Sequence, residues 1–287
     1  EHYEIYRSQN CFPRIANLLA YYPCSTPIGS KYTNDIVLAD ADYLYLQNTY
    51  NSSYYDAAGK IGYAYNFDYS PEGCYIGGGA GQFERTDAFS FALWVKPAFH
   101  YYGQEHYFFD NRSNNKGYAM WFEFASSTTT NETGYIHFSI QSDSGNKIEV
   151  VSPLVDLGLP NTDIHHIGFT YDGSSKASGL KIYFDKVQIG TSSGSDLTNT
   201  ILDGTNNILY VGRSTTAPSP PPPAYVWYGW IDEIAIWNAR LLATEIEAIY
   251  DLNDAGFQYD ASPEFSLLTT VDYPTLSYTD TGLTAGC

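Results

Sequence analysis

The sequence predicts an all-β sandwich of the jelly-roll kind, closed by one short helix. Three observations predict it. Strand-length apolar segments recur along the 287 residues with turn signals between them. Several of these segments alternate with a period of two, and helical periodicity is confined to one stretch near the C-terminal end. The clearest alternation puts Phe89, Phe91, Leu93 and Val95 on one face and Ser90, Ala92, Trp94 and Lys96 on the other. Both faces are partly apolar, which predicts a central strand covered on two sides.

Ahead of that strand, others are expected over 43–46 and 75–77. After it they follow over 107–110, 118–124, 135–141, 148–152, 164–171, 180–184, 186–190, 208–212 and 228–237. The last of these carries Ile231, Ile234 and Ile236 among its apolar positions. A helix then begins near Thr244, with Ile246, Ile249 and Tyr250 on one side.

Six segments appear in the order a jelly roll requires: Leu19-Ala20-Tyr21-Tyr22-Pro23, 59–68, 89–97, His165-His166-Ile167-Gly168-Phe169-Thr170-Tyr171-Asp172-Gly173, Leu180-Lys181-Ile182-Tyr183-Phe184-Asp185 and Leu209-Tyr210-Val211-Gly212. Together with the closing Gly229-Trp230-Ile231-Asp232-Glu233 strand and its helix, they resemble the laminin G-like, concanavalin A-like jelly-roll family, to which the pentraxins are related. The resemblance implies a sandwich over residues 19–252, with an extension at 1–18 and a strand-like extension at 253–287. Lectins, adhesion modules, glycosidases and structural domains share that fold, so function must come from the site. The resemblance also implies a structural calcium near the Asp of the I-D-E segment and an early Asp, which map to Asp232 and Asp68. Hard carboxylate oxygens suit that ion. In the alternative reading, Asp232 caps a turn.

Lys plus Arg number 14 against 32 for Asp plus Glu, a formal net charge of −18. That balance repels nucleic-acid phosphate and anionic lipid. The longest apolar runs fall far short of the ~20 residues a spanning helix needs, so neither nucleic-acid binding nor membrane insertion is expected. The chain begins Glu1-His2-Tyr3 without an initiator Met, as a signal-cleaved secreted protein would, or a trimmed chain. Cys11, Cys24, Cys74 and Cys287 show no C-x-x-C spacing, and their even number in such a setting favours disulfides over zinc. Three pairings are open. A local Cys11–Cys24 loop bearing Pro13 and Pro23 is favoured, which leaves Cys74 with Cys287 or with a neighbouring subunit. Sequons at Asn51, Asn111 and Asn131 lie in polar stretches between strands, where a glycan would reach solvent. The run Ala217-Pro218-Ser219-Pro220-Pro221-Pro222-Pro223-Ala224 must adopt polyproline II. It resembles the hydroxylated, glycosylated Ser-Pro segments of algal and plant wall glycoproteins, and it also reads as a stiff loop.

Catalytic patterns are missing where the fold would place them. Retaining glycosidases need two carboxylates about 5 Å apart on one strand. The positions that would supply them around Asp232 are Trp230 and Ala235. Gly190-Thr191-Ser192-Ser193-Gly194 fits G-x-S-x-G but reads as a flexible turn between strands. His165 and His166 point to opposite sides of a strand, so they cannot share a metal. The Gly77-Gly81 run lacks the Lys of a phosphate loop.

The chain carries 28 Tyr, 15 Phe and 5 Trp. So many tyrosines cannot all be buried, because each hydroxyl needs a partner. The expected function is therefore that of a secreted, non-enzymatic structural or adhesion protein at the cell surface. In the first version it is a subunit of an extracellular filament, with copies of itself as partners and with the 253–287 tail added to a neighbour's sheet. In the second it is a lectin-like module that binds extracellular glycans through Tyr101, Tyr102, Trp227 and Tyr228.

Overall fold

The computed structural model describes residues 2–8, 17–24, 27–28, 31–32, 44–46, 55–56, 59–67, 74–77, 79–98, 104–127, 132–142, 146–158, 162–204, 207–215, 225–256 and 265–272. In chain order the strands are β1 (His2–Ser8), β2 (Leu18–Tyr22), β3 (Pro27–Ile28), β4 (Lys31–Tyr32), β5 (Leu44–Leu46), β6 (Tyr55–Asp56), β7 (Ala64–Phe67), β8 (Cys74–Ile76), β9 (Phe89–Pro97), β10 (Glu105–Asp110) and β11 (Gly117–Ser127). They continue with β12 (Glu132–Gln141), β13 (Lys147–Val151), β14 (Val155–Asp156), β15 (His165–Tyr171), β16 (Leu180–Phe184), β17 (Val187–Ile189), β18 (Thr191–Gly194), β19 (Leu209–Val211) and β20 (Gly229–Trp237). Helix α1 (Ala243–Asp254) and β21 (Phe265–Asp272) complete the chain.

Among the described residues two antiparallel sheets face each other. The larger runs β18-β13-β12-β11-β10-β19-β8-β5-β4-β3, with β14 beside β12. The smaller runs β17-β16-β15-β9-β20-β7-β6, with β2 also on β20. The core lies between them. Phe89, Phe91, Leu93 and Val95 of β9, with Ile167 and Phe169 of β15, meet Tyr118, Met120 and Phe122 of β11 and Ile136, Phe138 and Ile140 of β12. Phe91 and Phe109 have ring centroids 4.8 Å apart, and Phe89 and Phe138 6.1 Å. Burying each such side chain stabilises by roughly 1.5–3 kcal/mol. The all-β sandwich and the central position of the 89–97 strand stand as the alternation required.

β20 shows how one sequence detail shapes the sheet. Ile231 and Ile234 are an odd number of residues apart, so an unbroken strand would send them to opposite faces. Both belong to the core together with Ile236. A bulge between Asp232 and Ala235 resets the alternation, with Glu233 in the left-handed region at φ 51°. The same irregularity divides β20 between two neighbours. Gly229–Ile231 pairs with β7, and Ile234–Trp237 pairs with β2.

Helix α1 lies on the outer face of the smaller sheet, where Ile246 and Ile249 pack with Tyr21, Ala92, Tyr183, Ala235 and Trp237. The Glu245 carboxylate accepts the Leu242 N–H at 2.7 Å and fixes its start. Gly168 permits the approach, since a Cβ there would lie 3.3 Å from Ile246 Cδ1.

Two expectations are corrected here. Residues 191–194 form strand β18, an edge partner of β13, and the turn is confined to Gly190 at φ 97°. The C-terminal tail has the expected strand, but β21 pairs with the N-terminal β1, from His2 opposite Asp272 to Ser8 opposite Phe265. These two strands make a sheet of their own.

Candidate functional site

The two sheets differ in what their outer faces meet. Every residue of β9 and β20 is buried, so the smaller sheet is covered on both sides. On β12 and β13 buried residues alternate with partly exposed ones, leaving the outer face of the larger sheet to solvent. Polar and aromatic side chains on that face are available to a ligand.

The register lays them out in rows. Tyr107 stands opposite Trp121, and Trp121 opposite His137. The next row runs Glu105, Glu123, Tyr135, and on the other side Ala119, Ser139, Glu149. The three rings stack as a ladder. Tyr107 and Trp121 lie 5.7 Å apart at 25°, and Trp121 and His137 lie 4.6 Å apart at 9°, close to the spacing of the strands that carry them. Arg112 sits 5.2 Å over Tyr107 and the Lys147 ammonium 5.6 Å over Trp121.

Both faces of the indole are thus occupied, and the ladder offers its polar edges. Tyr107 Oη donates to Glu105 Oε2 at 2.6 Å. His137 stands between two carboxylates, with Nε2 3.3 Å from Glu123 Oε2 and Nδ1 3.4 Å from Glu149 Oε1. Lys147 Nζ is 2.9 Å from Glu149 Oε1. Burial by itself would raise the Glu149 carboxyl, but hydrogen bonds from His137 and Lys147 outweigh it and hold the group below its ordinary value. Trp121 is 5% exposed, and its indole N–H is buried without a hydrogen-bond acceptor among the described residues.

The residues expected from the sequence fall elsewhere. Tyr101 and Tyr102 lie outside the described residues. Trp227 is fully buried against Phe108 at 4.9 Å and Phe124 at 6.4 Å, so it is a core residue and presents no face to a sugar. Tyr228 packs with Ala64, Ala98 and Trp230 on the smaller sheet. The two are neighbours in sequence and serve different sheets. What the sequence reading missed was Trp121. The signal was present, since Ala119, Trp121 and Glu123 alternate with the core residues Tyr118, Met120, Phe122 and Phe124.

Asp232 is a turn cap. Its Oδ2 accepts the N–H groups of Lys60 at 2.8 Å and Ile61 at 3.2 Å, and Oδ1 accepts that of Glu233 at 2.9 Å. Three donors converging on a buried carboxylate do not fit a calcium ligand. Asp68 lies outside the described residues, and among those described no group of three or more His, Cys, Asp or Glu is placed to hold a metal. Asn111 is also corrected. It is fully buried, its Oδ1 accepting the Tyr118 N–H at 2.7 Å and its Nδ2 donating to Gly81 O at 3.2 Å, so no glycan fits there. Asn51, Asn131, Cys11, Cys287 and the Pro218–Pro223 run lie outside the described residues. Cys24 carries a buried thiol that donates to Tyr22 O at 3.5 Å, in place of the expected link to Cys11. Burial raises that thiol well above its ordinary value, with Asp232, Cys74 and Glu233 adding to the effect.

No curated protein sequence matches the chain. Among solved structures, the binding domain of Paraclostridial Mosquitocidal Protein 1 aligns with a TM-score of 0.55 at 12% identity, covering 82% of this chain and 52% of that one. The receptor binding domain of botulinum neurotoxin D aligns with a TM-score of 0.55 at 9% identity, covering 82% and 52%. Domain 4 of AbnA, an extracellular arabinanase from Geobacillus stearothermophilus solved with arabinotriose, aligns with a TM-score of 0.49 at 18% identity, covering 82% and 98%. The chain spans about half the length of the two toxin chains, and at these identities the likeness is one of fold. The profile of the concanavalin A-like lectin/glucanases superfamily, in its laminin G form, matches residues 73–247. That match takes in more than half of the 287 residues and both faces of the sandwich, and the chain belongs to this laminin G-like, concanavalin A-like superfamily.

Proposed function

We propose that the chain is a secreted, lectin-like binding domain that holds a carbohydrate on the outer face of its larger sheet and performs no catalysis. The observation that carries this reading is the indole N–H of Trp121, a buried donor with no acceptor among the described residues, on a sheet face that is otherwise solvated. A buried donor left unmade costs about 1–3 kcal/mol. A sugar hydroxyl supplies the missing acceptor. Beside it, His137, Glu123 and Glu149 offer further hydrogen-bonding edges within a few ångströms, the pattern by which a few polar groups orient a ligand on an aromatic base. Superfamily membership supports carbohydrate as the ligand class. Among the described residues no helix is long and apolar enough to cross a membrane.

The test is a glycan-array screen with the full chain and its Trp121→Phe variant, which keeps a ring in the stack and removes the N–H. Retention on at least one glycan class, weakened about tenfold in the variant with unchanged thermal unfolding, is expected. Retention on none of them refutes the reading.

A second reading, a filament subunit joined through its tails to copies of itself, draws on the β1–β21 ribbon. Two strands alone are marginally stable in water, and a strand added from a neighbour would strengthen them.

A further inference from the structure

The charges around the ladder narrow the ligand class, and this inference rests on the carbohydrate-binding reading above. Glu105 and Glu123 stand directly opposite each other on adjacent strands. Like charges in that position destabilise a sheet. Tyr135 is the residue opposite Glu123 on its other side, so the register supplies no cation there. The Glu123 side chain is 47% exposed beside His137. A third carboxylate, Glu149, lies on the far side of the ladder.

The protein's own cations show how this face receives positive charge. The Lys147 ammonium rests over the Trp121 ring while pairing with Glu149, and the Arg112 guanidinium rests over Tyr107. Arg112 is committed to Asp110 through two contacts, Nε at 2.9 Å and Nη2 at 2.8 Å, and leaves the Glu105–Glu123 pair unneutralised. A glycan bearing carboxylate or sulfate would meet carboxylates on both sides of the ladder, on a chain of net charge −18. A neutral glycan would leave the Glu105–Glu123 repulsion in place. A protonated amine removes it.

We infer that the outer face of the larger sheet binds a glycan of amino sugars in their protonated form, with an ammonium between Glu105 and Glu123 and a neighbouring hydroxyl on the Trp121 N–H. The buried, unpartnered indole N–H in the adjacent row is independent of the acidic pair, and it places the hydroxyl-bearing ring beside the charge.

The experiment is calorimetric titration of the full chain with four tetrasaccharides: glucosamine, N-acetylglucosamine, a neutral glucan and a galacturonate. It is run at physiological salt, below and above the pKa of the sugar amine. The glucosamine tetramer is expected to bind about tenfold more tightly than its acetylated counterpart, and to lose that margin above the amine pKa. Galacturonate should not bind. Glu123→Gln should weaken glucosamine binding about fivefold with unchanged unfolding, while Glu247→Gln on α1 changes nothing. Equal binding of the acetylated and free-amine tetramers, or equal loss in the two variants, overturns the inference. If the acetylated or neutral tetramer binds and glucosamine does not, the inference falls and the carbohydrate reading stands. If no glycan binds here or on the array, both fall.

Discussion

The Asp232 carboxylate accepts the backbone N–H of Lys60 at 2.8 Å, although 172 residues separate them. The contact ties the turn before β7 to the bulge of β20. Lys60 extends the tie by resting its ammonium 4.2 Å over Trp94 and 2.6 Å from Asp254 at the end of α1. Asp232→Ala would strand the N–H groups of Lys60, Ile61 and Glu233. A loss of about 2–4 kcal/mol is expected in denaturant unfolding, and a loss below about 1 kcal/mol would mean that the turn finds other acceptors.

Stability should depend on pH in two opposing ways. Burial pushes Asp232 up to about 7, against backbone hydrogen bonds that pull it down. Between the ordinary carboxylate range and that value the folded chain keeps a proton the unfolded chain has lost, so this group weakens the fold as pH rises. Asp232→Asn removes that slope.

Burial pushes His166 and His106 down to about 4. Below the ordinary histidine pKa of about 6.5 the unfolded chain takes up protons that the folded chain refuses until about 4. Their contribution is complete above that range and is lost as pH falls through it. His166 lies against Trp94 and Tyr250, with neither ring nitrogen hydrogen-bonded among the described residues. His166→Phe should flatten the acid limb of urea-unfolding midpoints measured across this range, and an unchanged limb would place the sensitivity elsewhere.

Trp227→Ala should cost about 3–5 kcal/mol, because it empties a fully buried site against Phe108 and Phe124. Tyr228→Ala should cost less. Melting curves that rank the two in the opposite order would contradict the core placement of Trp227.

Peptide mapping of natively purified protein should find Asn111 unmodified, since both ends of its amide are engaged inside the fold. A glycan at that site would contradict the burial described.

Deleting residues 258–287 removes β21 and leaves β1 without its partner. The sandwich should still unfold cooperatively within a few degrees of the full chain, because its core residues lie between Ala20 and Ile236. If the full chain assembles through its tails, light scattering should show the deletion as monomer. Assembly that persists would rule out the tails as the joint.

Much of the sandwich could be read because period-two alternation is a local property, carried by each strand alone. Phe89, Phe91, Leu93 and Val95 all enter the core from the face their spacing implied. The cap at Asp232 was legible only as an alternative to calcium, since a carboxylate in a sequence does not show which atoms converge on it. The ladder was missed because Tyr107, Trp121 and His137 come from three strands, and cross-strand register is not written in any one of them. Trp227 misled because its neighbour Tyr228 suggested an exposed pair, whereas the chain crosses between sheets at that point.

The antiparallel pairing of His2 with Asp272 has a mechanical consequence. Whatever precedes the first strand and follows the last leaves the ribbon at the same end, side by side. Tension applied between the two ends would peel β1 from β21 one pair at a time, loading each hydrogen bond in turn. A parallel arrangement would instead have shared the load in shear. The ribbon therefore works as a zip that yields at low force before any pull reaches the two facing sheets, and force spectroscopy should record a small early extension ahead of the rupture of the sandwich.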